Sequence, residues 1–355
     1  MGMDKVFKVL KGIGIAVGSI LIAVLLFFTF LTIKEYKPAK KEAIEVKESD
    51  NSINIGEDYS VITYNIGYAA YDSDEDFFMD GGKKVRPDSV EDVYANLSGI
   101  SSTITKYDAD IYFLQEVDID SHRSYNVNEL AYLESATGHK GIYAANFNAI
   151  FVPFPVPPIG KVHSGIVTFT ELGVREANRI SLPEAFKWPV KIANLKRCIL
   201  ETRIPIEGSD KELVLLNFHL EAYDDGEGKI KQTQVLKDKL EEEYSMGNYV
   251  IAGGDFNQQF VDVITVPEVK DPDAWKPGSI KEEDLPEGFK FAVSDNLPTC
   301  RSLAEPFESY EKSQTYIIDG FVVSDNINVR KIEVMDEGFA HSDHQPVLLE
   351  FRLKK

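Results

Sequence analysis

Residues 12–33 contain no charged side chain, and no other stretch of this 355-residue sequence restricts its structure so sharply. At about 1.5 Å per residue, a helix of roughly twenty apolar positions crosses the hydrocarbon core of a bilayer. The stretch is longer than the apolar core of a secretory signal, and no A-x-A-like site follows it closely, so an uncleaved single-pass anchor is expected and a cleaved signal is the alternative. Lys5, Lys8 and Lys11 precede the run, while Lys34, Lys37, Lys40 and Lys41 follow it, so positive charge does not orient it. A short tail before a first apolar segment is how a signal anchor places a long C-terminal domain outside the cytoplasm, which is the topology expected here.

The organisation read from the chain is a tail over 1–11, a transmembrane helix over 12–33, a Lys-, Glu- and Ser-rich linker over 34–58 that reads as a solvated stalk, and a folded domain over 59–355. Through residue 47 the chain carries eight lysines and four acids, a local +4, which leaves −24 for the remainder of a chain whose net charge is −20. Such a domain repels polyanions and lacks the counterion-releasing contacts that drive nonspecific duplex binding. No stable nucleic-acid partner is expected, although a local cleft of different sign leaves a nuclease open. Cys198 and Cys300 fit either one disulfide or two core thiols, and nothing in the sequence sets an oligomeric state.

Short apolar runs recur at 59–66, 110–117, 165–170, 195–203, 212–220, 249–257, 316–324 and 346–353, with the length and β-branched or aromatic enrichment of strands. Between them, Val90, Val93, Leu97, Ile100 and Ile104 recur at helical spacing behind Asp88, with Glu91 three residues on, which predicts a capped helix over 89–106. Thr233, Leu236, Leu240 and Tyr244 predict a second helix, stopped near Gly247. Strands mixed with helices in this way predict an α/β sandwich with mixed sheets. Residues 151–160 are apolar but rich in proline and read as an extended loop, and residues 261–310 read as a long insertion at one rim.

The polar residues that stand out sit at strand ends. Asn65 closes the first run, Gln115 and Glu116 the second and His219 a later one, while Asp255 and Asn257 close the next. Asp319 lies within another run, and Asp343 and His344 precede the last. Singly, each is more often a turn former or a satisfied structural residue. Together they gather donors, acceptors and carboxylates at one edge of a sheet.

The segments YNIG, LQEVD, NFHLE, GGDFN, IIDGFVVS and SDHQPV, in this order between about Ser60 and Phe351, resemble the successive motifs of the endonuclease/exonuclease/phosphatase superfamily. The resemblance implies a four-layer α/β sandwich of two mixed β-sheets flanked by helices, preceded here by one N-terminal transmembrane helix. It implies that Glu116 is the principal Mg2+ ligand, with Mn2+ an alternative, that Asn65 helps hold the metal or the phosphate, and that Asp343 joins the metal or water network. A Mg2+ ion that keeps several waters suits so few protein ligands. Asp255 would orient or activate the attacking water, Asn257 would donate to the phosphorus centre, and Asp319 would fix the tautomer of His344 and raise its pKa.

Two positions depart from the nuclease pattern. His219 is similar to the phosphate-contacting histidine of the sphingomyelinase, inositol-phosphatase and secreted deoxyribonuclease branches, and Gly67 stands where some nucleases carry an acid. Among weaker candidates for substrate contact, Arg123 offers a bidentate phosphate contact, Asn146 precedes the proline-rich stretch, and His163 precedes a strand; each also has an ordinary structural reading. The implied reaction is metal-assisted, in-line attack of water on a phosphate ester. The substrate classes rank as a phospholipid or sphingomyelin head group, then nucleic acid, then a phosphoinositide-type monoester. A noncatalytic binding domain on the same fold is the alternative of another kind.

Overall fold

Alternating side chains divide the core into layers. On strand β2 (Asp58–Asn65), Val61 points into one apolar cluster and Ile62 and Tyr64 into another; on β3 (Ile111–Asp118), Phe113 faces the first cluster and Tyr112 and Leu114 the second. That is the two-residue period of a strand buried on both faces. The computed structural model describes residues 2–46, 51–224, 226–272 and 274–355.

One sheet has six strands in the order β16-β17-β2-β3-β5-β4, adding β4 (Gly141–Val152), β5 (Gly160–Thr170), β16 (Ile327–Val334) and β17 (Val347–Leu353). The other has seven in the order β1-β6-β7-β8-β9-β15-β12. These are β1 (Lys41–Ile44), β6 (Glu176–Ser181), β7 (Cys198–Pro205), β8 (Glu212–His219), β9 (Tyr249–Asp255), β12 (Phe289–Ala292) and β15 (Asp319–Ser324). Two short pairs, β10 (Gln258–Phe260) with β11 (Gly278–Ile280) and β13 (Cys300–Arg301) with β14 (Thr315–Tyr316), lie beside them. Among the described residues, β2 with β3, β8 with β9 and β10 with β11 run parallel and the other paired strands antiparallel, so both large sheets are mixed.

Phe113, Leu215, Ile251, Phe321 and Leu349 fill the space between the sheets. Outside the six-stranded sheet lie α2 (Val90–Tyr107) and α3 (Glu129–Thr137), where Leu97, Ile100 and Leu133 meet Tyr112. Outside the seven-stranded sheet, α4 (Glu227–Ser245) buries Leu236 and Leu240 against Phe218 and Val250. This is the four-layer sandwich that the motifs imply. The α2 cap sits one residue later than its spacing suggests: the Ser89 hydroxyl accepts from the Asp92 N–H, and the Asp92 carboxylate accepts from the Ser89 N–H.

The segment expected as a solvated stalk is partly sheet. Residues Lys41 to Ile44 pair with Ile180 to Ala177 at the edge of the seven-stranded sheet, and Ile53 is fully buried beside Ile206. An edge strand buries one face and tolerates charge on the other, which gives KEAI the composition of a linker. The 261–310 stretch likewise departs from a plain insertion, since its β12 extends the sheet beyond β15 through Phe289 and Phe291. Residues 153–159 form the tip between β4 and β5, in line with a loop.

The N-terminal helix α1 runs over Met3–Ile33, so the expected tail is helical almost throughout. Val6–Ile33, with mean hydropathy 2.6, is long and apolar enough to cross a membrane. Cys198 and Cys300 are separate buried thiols, which settles the alternatives in favour of two core cysteines.

Backbone proximity fixes one further residue. Gly254 has φ of +146°, and a Cβ there would fall on the Phe218 carbonyl oxygen of the neighbouring strand. Gly254→Ala is therefore expected to destabilise the domain by roughly 3 kcal/mol through strain and displacement of β8. A denaturant midpoint equal to that of the wild type would contradict this.

Candidate active site

Register brings the strand ends together. His219, Asp255 and Asp319 form one row across β8, β9 and β15, while Asn65 stands beside Gln115 across β2 and β3. The two sheets face each other, so both rows meet at one edge. There the Asn65 amide donates to Asp255 Oδ2 at 3.1 Å, and the same nitrogen lies 3.4 Å from His344 Nε2. On its other side the His344 ring meets Asp319 through Nδ1 and Oδ2 at 2.8 Å. The Nδ1 contact with Asp319 fixes the orientation of the ring and turns Nε2 toward Asn65 and Asp255.

Burial favours a neutral His344, but the adjoining Asp319 carboxylate overrides it and holds the ring well above the ordinary histidine range. Burial also pushes Asp255 up to about 7, with the facing charge of Asp319 adding to the effect. His219 behaves oppositely. Buried and close to Arg197, its ring is held well below the ordinary range and is neutral. Its Nε2 lies 3.4 Å from Asp255 Oδ2, and its buried Nδ1 finds no hydrogen-bond partner among the described residues. Asn257, at φ +51°, donates its backbone N–H to Asp255 Oδ1 and its side-chain amide to the Leu220 carbonyl.

Glu116 reaches this cluster through an irregular backbone. The register of β3 against β5 shifts between Leu114 and Val117, and Glu116 takes φ of +58°, so the bulge turns its carboxylate toward the site. Its Oε1 lies 3.8 Å from His219 Nδ1, and its side chain remains 26% exposed where those of His219 and Asp255 are nearly closed off. Burial raises the Glu116 carboxyl. Asp343 is pushed up to about 7 by burial, with His344 opposing and the Glu116 charge adding. A half-open carboxylate and a buried one whose proton affinity it raises, beside an unpartnered imidazole nitrogen, form a donor set suited to a divalent cation. Gly67 belongs to the same fit: at φ +53°, a Cβ would come within 2.8 Å of Asp343 Oδ1. An acidic side chain at 67 would occupy the place that Asp343 takes.

The cluster lies at the floor of a cavity of about 570 Å3, to which Asn65, Glu116, His219, Asp255, Asn257, Asp343 and His344 all contribute. The weaker candidates divide. Asn146 is buried in the wall. Arg123 also lines it, but its Nε and Nη2 hold the buried Asp118 carboxylate at 3.0 and 2.9 Å, and its guanidinium stacks 3.5 Å from the centre of the Tyr68 ring. The Nε–Nη2 edge of its fork is thus engaged within the protein. His163 is not part of the wall: strand alternation presents its neighbour Ser164 to the cavity, and the His163 ring lies beside Tyr143. Gln115 points between the sheets and donates to Asn217 Oδ1 at 2.9 Å.

Sequence reasoning passed over Arg197, which lines the cavity, donates from Nη1 to the His219 carbonyl at 3.0 Å and pairs with Glu221 at 3.1 Å. It directly precedes β7, whose first residues lie beside the end of β8. The logic that found His219 from a strand end applies equally to a charged residue at a strand start. Most of the remaining wall is apolar. Phe77 and Phe78 supply one part, Phe154 and Ile159 another, and Phe28 and Leu31 come from α1 itself.

A mixed-sheet sandwich with buried carboxylates, amides and imidazoles converging at one sheet edge defines a phosphoester hydrolase. The chain belongs to the Endonuclease/Exonuclease/phosphatase family, whose model matches residues 62–344. Enzymes of this family depend on a divalent metal, and the acidic and imidazole groups at the site are able to hold one.

Solved structures share the fold. An endonuclease/exonuclease/phosphatase from Beutenbergia cavernae is 18% identical over 84% of this chain and 72% of its own, with a TM-score of 0.57. Another, from Bacteroides vulgatus, is 17% identical over 84% of this chain and 100% of its own, with a TM-score of 0.54. TDP2 from D. rerio, solved with a single strand DNA product, is 17% identical over 83% of this chain and 99% of its own, with a TM-score of 0.52. No curated protein matches the chain.

Proposed function

We propose that this protein is a Mg2+-dependent phosphodiesterase anchored in a membrane, with its catalytic domain outside the cytoplasm, and that it cleaves the head-group ester of a phospholipid or sphingomyelin. The observation that carries this reading is the composition of the cavity: a polar floor of metal-binding and proton-transfer groups under an apolar wall that includes Phe28 and Leu31 of the anchor helix. A phosphodiester with an apolar tail matches both halves. In this reading Glu116, Asp343 and Asn65 hold the cation, which when bound neutralises charge on the phosphoryl oxygens. Asp255 orients the attacking water and takes its proton. Asp319 fixes His344, which serves the proton transfer from the opposite side, and His219 and Asn257 contact the phosphoryl oxygens.

Nucleic acid is the second reading, favoured by the likeness to a protein solved with single-stranded DNA. The acidic domain and the apolar wall weigh against it. Full-length protein in vesicles with Mg2+ is expected to release phosphorylated head groups from phosphatidylcholine or sphingomyelin, at least an order of magnitude faster than it cleaves single-stranded DNA or dephosphorylates an inositol phosphate. In intact cells, external protease should abolish that turnover. Cleavage of DNA with both lipids untouched would overturn the substrate assignment, and activity surviving protease would overturn the topology.

A further inference from the structure

The anchor helix is docked on the catalytic domain. Glu35, just past its end, has a side chain only 2% exposed and meets Lys196 Nζ at 2.8 Å, while Lys196 also bonds Glu184 at 2.8 Å. One turn earlier the Trp188 indole N–H donates to Thr32 Oγ1 at 3.1 Å, and its ring stands edge-on to Phe28 at 6.2 Å. Phe27 makes a similar contact with Phe151 at 6.1 Å. The chain then enters the sheet at Lys41, so no long tether separates helix from domain. The face around the helix exit is thereby held at the membrane.

That face carries large apolar side chains that stay largely exposed, although Trp188 touches Phe28 and Phe154 meets Phe78. Val156 is 94% exposed and Phe154 64% at the β4–β5 tip, and Trp188 and Val190 are more than half exposed on the loop leading to β7. Scattered apolar residues are ordinary on a protein surface, whereas a group bordering a membrane helix is not. Tryptophan beside the end of such a helix fits the interfacial zone. Phe154 and Val190 also belong to the cavity wall, which makes the apolar surface continuous from this rim to the floor.

We propose that the β4–β5 tip and the Trp188–Val190 loop insert into the leaflet beside α1, so that the bilayer is a docking partner of the catalytic domain and the cavity opens into the lipid phase. A substrate with an acyl tail then enters sideways from the leaflet, between α1 and the tip. The insertion rests on the proposed anchoring of α1 in a membrane and goes beyond the substrate reading, on which it does not depend.

The test uses position 156. Both native cysteines are buried, so Val156→Cys provides one accessible thiol for an environment-sensitive fluorophore on the full-length chain. After reconstitution into phosphatidylcholine vesicles, the label is expected to emit to the blue and to be quenched by nitroxide lipids, placing it within about 5–10 Å of the headgroup–acyl boundary. A label at Asp210→Cys, in the exposed β7–β8 turn at the opposite end of the sheet, should remain aqueous. Aqueous emission at 156, with quenching by iodide as strong as at 210, would overturn the insertion. Neither readout requires turnover, so a failure here is distinct from a failure of the substrate assignment.

Discussion

His344→Ala and Asp319→Ala are each expected to lower kcat by roughly 10²-fold or more, the contribution typical of a general acid–base group. The ring and the carboxylate meet at 2.8 Å and form one unit, so the double variant should be little worse than the worse single one. Asp255→Asn should be comparably severe while nearly preserving volume. Substrate affinity should move much less than turnover, since these groups matter most in the transition state.

Stability needs a separate measurement, because all three side chains are buried. Removing one partner of a buried ion pair costs about 3–5 kcal/mol, so His344→Ala, which strands the Asp319 carboxylate, is expected to lower Tm as well. Asp319→Asn removes the charge with almost no change of shape and should separate the two effects. A purely structural pair predicts large losses of Tm with kcat near wild type in the protein that remains folded. Near-normal turnover in folded Asp319→Asn and Asp255→Asn would remove the catalytic assignment.

Much of the site was legible because strand ends are legible. A run such as residues 249–257 announces its strand through unbroken apolar character, and the first polar residues after it must emerge at the sheet edge. Asp255, Asn257 and His219 follow from that alone. Within the two large sheets, the strands without a matching apolar run are β1, β4, β6, β12 and β16, where partial exposure breaks the run; β16, with sequence INVRKIEV, is charged along much of its length.

Direction was harder to read than position. Gln115 and Glu116 are adjacent, yet Gln115 turns between the sheets and Glu116 into the cavity, and the bulge that sets this depends on β5. The same holds for Arg123, whose fork meets Asp118, and for His163, which strand alternation turns away from the cavity. The apolar wall was the least legible feature. Phe28 and Leu31 read only as membrane residues until the docking of α1 on the domain places them in the wall of the same cavity.

The bulge also fixes what Glu116→Gln should do. Glu116 is the one acid at the floor with a substantially open side chain, and its carboxylate faces both His219 and the Asp343 side of the cluster. Glutamine keeps the shape and an oxygen donor but loses the negative charge that attracts a cation. The Mg2+ concentration giving half-maximal activity is expected to rise at least about 10–100-fold, a loss seen even for groups that merely orient a metal ligand. Excess Mg2+ should restore part of kcat, which replacement of a residue proposed to transfer protons, such as His344, would not permit.

A binding readout frees this test from catalysis. Ligand at about 100 times its Kd stabilises a folded protein by about 2.7 kcal/mol, whereas Glu116→Gln, binding about 10–100-fold more weakly, would gain only about 0.4–1.4 kcal/mol, so the same Mg2+ should raise its Tm by about half as much or less. Without metal the two proteins should melt together, or the variant slightly higher, because partial burial disfavours the charge of Glu116 and glutamine carries none. An unchanged Mg2+ titration in both activity and Tm would show that Glu116 is not the ligand, and the charge at Asp343 would then have to hold the cation.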